Sequence, residues 1–320
     1  MRENPVRAGA AWAIKRSRLV RLDPEGLESL AEELLSLPDP VWVSRYHFLG
    51  DEELTLRYLL VLDALNFCFW PPAGFPEHPG KDRWAVTGPE GERLTGYYAL
   101  SFSLRRVAED FPAFFSPENL ANITLEKVRE VLGEIPLISW RVAAIREVGA
   151  LLLRFCSAAA FFAAARNSAP KLVELLTAHL PMFRDAALYH GRLVPFHKRA
   201  QILVADLWGT FGGRGPGAIH DLCWLTAFSD YKLPQILWAR GALRLHPALA
   251  EEIKRGEMIP RGSAKEVEIR AATIVAVEEL VGLLAKKGRE LLPFQGDWLL
   301  WHLSQRDLHL PHHRTLTWAY

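Results

Sequence analysis

The sequence predicts a mainly α-helical protein, a single helical domain spanning residues 1–320 with one small β-hairpin. Three observations lead there. Apolar residues recur at helical spacing along most of the chain, prolines punctuate those runs, and one stretch alone has the composition of paired strands. No linker, internal repeat or low-complexity stretch divides the 320 residues. Half the residues are hydrophobic, so a sizeable core is available and the composition is not that of a disordered chain.

Residues 24–37 (PEGLESLAEELLSL) set apolar positions opposite acidic ones at helical spacing, and Pro38 stops them. Residues 51–69 run into LDALNFCFW and are too apolar around their circumference for a surface helix, with Asp63 and Asn66 as the polar exceptions. Residues 71–80 (PPAGFPEHPG) form a loop by composition. Residues 83–98 place aromatic and β-branched residues about a Gly-Pro-Glu-Gly turn, which predicts the hairpin. Helices are then expected at 97–110, 124–132, 139–166, 170–178 and 196–208. Others follow at 217–228, 233–239, 247–255, 263–285 and 295–303, with prolines at or near the boundaries.

Net charge and motifs narrow the function. The charge is +1, which lacks the basic excess of a protein that grips a long nucleic-acid backbone. Cys68, Cys156 and Cys223 sit in apolar segments without metal-ligand spacing and read as buried, reduced thiols of a cytoplasmic protein. The N-terminal segment lacks the apolar core of a signal peptide, and the longest uncharged apolar run, 155–165, is too short to cross a bilayer. The run Gly212-Gly213-Arg214-Gly215-Pro216-Gly217 is neither a phosphate loop nor a dinucleotide fingerprint, and no nucleophile elbow occurs. No cofactor and no metal are expected. Adjacent His312-His313 ligate one ion poorly, and a tail packed over a pocket or an oxyanion contact through Arg314 suits PHHRTLTWAY better.

Polar groups set into apolar surroundings mark the candidate site, because each costs free energy unless paired. On PFHKRAQILVADLW, Gln201 lies about 60° to one side of Lys198 and Asp206 about 80° to the other, so the three share one arc. That pattern reads either as a buried Lys–Asp pair that fixes packing or as a cationic anchor for an anionic substrate. Asp230, between Phe228 and Tyr231, reads either as a helix cap or as a catalytic carboxylate in an aromatic pocket. Asn66 stands among aromatics, and Asp297-Trp298 pairs another acid with a ring, again a cap or a ligand.

These segments together resemble the queuosine salvage proteins, the queuosine 5′-phosphate N-glycosylase/hydrolases. The resemblance rests on YHFLGDEELTLRYLLVLDALNFCFW, GYYALSFSLRR, FHKRAQILVADLW, LTAFSDYKLPQIL, EVEIRAATIVAVEEL, GDWLLW and PHHRTLTWAY, in family order over roughly residues 40–320. The chain departs from the family pattern at Ser229, where alanine is usual, beside the catalytic candidate. The resemblance implies a mainly α fold similar to helical DNA glycosylases. It also implies a hydrolase that cleaves the N-glycosidic bond of queuosine 5′-monophosphate and releases queuine for reuse in tRNA. A monomer acting on a free nucleotide is expected, with no membrane and no stable nucleic-acid partner.

Such cleavage passes through an oxocarbenium-like sugar, so a carboxylate near the anomeric carbon stabilises the charge and orients water. Asp230 resembles the family's catalytic acid. The 7-deazaguanine base offers two adjacent donors on its Watson–Crick edge, for which Asp297 is the candidate acceptor, with Trp298 nearby. Phe48, Phe67, Phe228 and Tyr231 are candidate stacking surfaces, and Asn66 a further hydrogen-bonding group. For the 5′-phosphate, Lys198 is the first candidate, with His47, Arg199 and Arg261 in reserve. Two other classes fit the same residues: a DNA or RNA base-excision glycosylase, and a non-catalytic binder of queuine or its nucleotides.

Overall fold

The structure, a computed structural model, describes residues 3–42, 45–70, 84–305 and 309–320. Helices dominate it. Among the described residues they are α1 (Pro5–Ile14), α2 (Pro24–Leu35), α3 (Glu52–Ala64), α4 (Gly96–Asp110), α5 (Pro117–Ala121), α6 (Leu125–Leu132) and α7 (Ile138–Phe155). They continue with α8 (Ala158–Ala164), α9 (Ala169–His179), α10 (Lys198–Thr210), α11 (Lys232–Ala239), α12 (Pro247–Lys254), α13 (Ala264–Lys286) and α14 (Pro293–Leu303). The expected hairpin is present as β2 (Ala85–Thr87) paired with β3 (Arg93–Thr95). Two further antiparallel pairs escaped the sequence reading: β1 (Val20–Leu22) with β6 (Leu243–Leu245), and β4 (Ala186–Tyr189) with β5 (Arg192–Pro195). The loop expected at 71–80 lies outside the described residues.

Local chemistry explains most boundaries. Proline occupies the first turn of α2, α9, α12 and α14, and Asp23, Asp51, Thr124 and Ser263 each accept a first-turn N–H. The helix expected over 139–166 is instead two. Cys156 is left-handed (φ 65°), and Ser157 caps a new helix bent 80° from the first. The Glu53 carboxylate accepts from Ala158 N and Ala159 N, both at 2.8 Å, so an anion from α3 seats the N-terminus of α8. No single described helix is long and apolar enough to cross a membrane.

The helix expected at 217–228 is also absent. Only isolated 3₁₀ turns form, at Gly215–Gly217 and Leu222–Trp224, and residues 225–230 follow a non-helical buried path. Side chains satisfy its backbone. Gln201 Oε1 accepts from Thr226 N at 3.0 Å, Asp297 Oδ2 from Phe228 N at 2.7 Å, and Arg270 donates to the Ser229 carbonyl. An apolar run of that length looks the same as a buried helix or as a buried extended segment. The cysteine expectation needs correction as well: Cys68 is buried, but Cys156 and Cys223 are exposed, and none of the three forms a disulfide.

The apolar interior has two main parts. One gathers α3, α4 and α6 to α10, the other α2 and α11 to α14. They meet where α14 contributes Phe294 to the first and Leu299 to the second, beside Phe228 and Ala227, which divide the same way. The candidate site lies along that seam.

Candidate active site

The site is built from the start of α10. His197, left-handed at φ 48°, turns the chain from β5 into the helix. Asp185 clamps this corner: its carbonyl accepts from Phe196 N and His197 N, and its Oδ2 from Lys198 N at 3.1 Å. The same carboxylate forms a buried bidentate pair with Arg270 at 2.8 and 2.6 Å. Arg270 lies between the rings of Phe196 and Tyr320 and donates to the Ser229 carbonyl. One guanidinium thus ties the lysine-bearing helix to the residue before Asp230. Burial would raise the Asp185 carboxyl, but Arg270 prevails and holds it below the usual range.

Lys198 is buried, and its Nζ donates to the Asn66 carbonyl at 3.1 Å. Burial lowers its pKa, with the charge of Asp230 opposing. Two turns on, Asp206 accepts from Trp42 Nε1 at 3.0 Å and from the Tyr97 hydroxyl at 2.7 Å, and burial raises it to about 6. Gln201 faces elsewhere. Its amide bonds Thr226 and the Phe196 carbonyl, so it holds the 225–230 segment and does not join the arc predicted with Lys198 and Asp206.

The loop after α3 supplies a second wall. Its carbonyls have no helical partners, and a buried arginine takes three of them: Arg141 donates to Leu65, Phe67 and Cys68, while Arg199 ties Ala64, at the end of α3, to Met182. The Cys68 N–H bonds the carbonyl of the C-terminal residue, Tyr320, which brings the tail over the cavity.

Asp230 opens α11. Its Oδ1 accepts from Lys232 N at 2.7 Å and Leu233 N at 3.0 Å, as the cap reading expects, and the side chain also lines the cavity. No described donor bonds its Oδ2. Tyr231 packs against Trp70 and His312 with ring centroids 6.4 and 4.6 Å apart. Asp297 Oδ2 holds Phe228 N, and burial, with the nearby Asp230 charge adding, pushes its carboxyl to about 8. Trp298 lies against Trp208 and Phe294.

These groups enclose a cavity of about 170 Å³. It brings together Lys198, Phe228, Asp230, Tyr231, Asp297 and Trp298, and also His47, Asn66 and Phe67. Three candidates stand away from it. Phe48 packs in the core against Tyr58. Arg199 is occupied by backbone carbonyls and the rings of Phe67 and Phe183, and Arg261 stacks on Trp318 at 3.9 Å. Cavity-lining groups that sequence reasoning assigned no role include Trp42, Tyr97, Tyr98, Lys232 and Trp301. Tyr97 and Tyr98 stood in a matched segment, but Trp42 carried no signal. The tail does pack over the cavity, through His312 and Tyr320. Arg314 instead pairs its backbone with the Met258–Ile259 stretch. Burial takes His313 down to about 3. Among the described residues no three His, Cys, Asp or Glu side chains gather as a metal site requires.

The family model described as queuosine salvage protein matches residues 46–320. A Sphaerobacter thermophilus protein named queuosine 5′-phosphate N-glycosylase/hydrolase is 43% identical over 319 residues, covering 96% of this chain and 95% of its own. Proteins of the same name from Dictyostelium discoideum and Mus musculus are 36% and 32% identical. They cover 98% and 97% of this chain, and 98% and 96% of their own lengths.

Proposed function

The chain belongs to the queuosine salvage protein family, and on that premise we propose that it hydrolyses the N-glycosidic bond of queuosine 5′-monophosphate to release queuine. The observation that carries the reading is the meeting of Asp230, Lys198 and Asp297 in one aromatic-lined cavity. We read residues 1–320 as a single domain, because α14 belongs to both apolar cores.

In this reading Asp230 lies beneath the sugar. Two backbone N–H groups fix Oδ1, so the carboxylate is aimed before substrate arrives and needs no reorganisation in the transition state. Its negative charge stabilises the anomeric carbon as the C–N bond lengthens, and Oδ2 orients the attacking water. Phe228 and Tyr231 face the planar base, and Asp297 meets its Watson–Crick edge. Burial raises the Asp297 carboxyl to about 8, and an edge with two N–H donors favours its ionised form. Lys198 supplies positive charge for the 5′-phosphate, with Lys232 lining the same cavity.

The test is direct. Incubating the protein with queuosine 5′-monophosphate and separating the products by chromatography should yield queuine and ribose 5-phosphate in equal amounts. A folded protein that leaves the nucleotide intact would overturn the proposal.

A further inference from the structure

Queuosine carries an arm on C7 of its deazaguanine: a CH2–NH link to a cyclopentenediol, whose secondary amine is protonated at neutral pH. The roles assigned above to Asp230, Asp297, Phe228 and Tyr231 account for sugar, base edge and ring faces. They leave one group of lining residues unused, Trp42, His47, Tyr97 and Asp206, which contact one another and so form one end of the lining.

That end has the chemistry of a cation site. Asp206 is only 4% exposed, and its two hydrogen bonds come from neutral donors, Trp42 Nε1 and the Tyr97 hydroxyl. The lysine whose charge reaches it, Lys198, has its Nζ on the Asn66 carbonyl. A buried carboxylate held by neutral donors remains costly, and a docked cation offsets that cost. The raised pKa of Asp206, about 6, reflects the same deficit. Aromatic rings border it: Trp301 stands edge-on to Tyr97 at 6.2 Å, and Trp42 lies 4.3 Å from His47. His47 is 5% exposed, burial drives it to about 3, and its Nδ1 has no hydrogen-bond partner. It is therefore a neutral ring with one nitrogen unpartnered. Gly209 makes room for the arrangement, since a Cβ there would fall 2.3 Å from Trp42 Cγ.

We infer that the Trp42–His47–Tyr97–Asp206 end of the cavity is the subsite for the protonated amine of the C7 arm, with Asp206 pairing its charge. Selection of queuosine over guanosine nucleotides is then made at this end. The inference rests on the substrate class proposed above and assigns it a specificity determinant.

The test uses two bases that differ in charge and little in size, 7-aminomethyl-7-deazaguanine (cationic) and 7-cyano-7-deazaguanine (neutral), with binding read by calorimetry. Wild-type protein should bind the aminomethyl base at least tenfold more tightly, and Asp206→Asn should remove most of that preference while changing cyano-base affinity less than threefold. Equal affinity of wild-type protein for the two bases overturns the inference, and this arm stands even if the variant does not fold. A preference that survives intact in folded Asp206→Asn overturns it too, as does a failure of both bases to bind while turnover proceeds. Binding is read without hydrolysis. Charge-selective binding in a protein that releases no queuine would defeat the hydrolase reading and leave this one standing.

Discussion

Asp230→Asn removes one charge and almost nothing else. The Asn side-chain oxygen can keep accepting from Lys232 N and Leu233 N, and Asn caps helices as well as Asp does. Stability should therefore change by less than about 0.5 kcal/mol, which leaves the melting temperature within roughly 2 °C. Catalysis should change far more. A full charge about 4 Å from a developing cation is worth about 4 kcal/mol at an effective dielectric near 20. At about 1.4 kcal/mol per factor of ten, that is a loss of about 10³ in the chemical step. The assay is single-turnover release of queuine from queuosine 5′-monophosphate, with enzyme in excess, alongside a thermal melt. A rate within tenfold of wild type would refute the electrostatic role. A melting temperature that falls with the rate would show that the carboxylate acts through the fold.

Three further outcomes follow from the same geometry. If Lys198 meets the phosphate, the monophosphate should be cleaved at least tenfold more efficiently than the nucleoside, about 1.4 kcal/mol, and equal kcat/KM values would remove the phosphate pocket. Asp297 is raised from 3.8 to about 8, so between those pH values the folded protein keeps a proton that the unfolded chain releases, and stability falls as pH rises through that window. Asp297→Asn has no such proton, so its melting temperature should gain on wild type from pH 5 to pH 8, and a flat difference would contradict the burial argument. Arg270→Met leaves Asp185 buried and unpaired and the Ser229 carbonyl without its donor. Urea unfolding should show a loss of about 3–5 kcal/mol, and a loss below about 1 kcal/mol would deny the pair its structural role.

The fold was legible wherever the signal was local. α2, α4, α11 and α13 follow from apolar spacing read with prolines and caps, and the hairpin from its turn. The failures also have local form but non-local causes. At 139–166 the apolar pattern runs on, while a left-handed Cys156 and a carboxylate from α3 divide the helix. At 225–230 the chain needs no helix, because Gln201, Asp297 and Arg270 satisfy its backbone.

The same division holds in the site. Asp230, Lys198 and Asp297 stood out in the sequence because polar groups in apolar runs cost free energy, and that cost is visible without coordinates. Which groups offset it is not visible there. Gln201 shares an arc with Lys198 on paper, yet it is spent on Thr226, and Arg199, one residue from Lys198, is spent on the carbonyls of Ala64 and Met182. Trp42 reaches Asp206 from 164 positions away, and no periodicity announces it. Residue chemistry and helical period are properties of the chain and can be read along it. The partner of a buried polar group is a property of packing, and only the folded structure selects it.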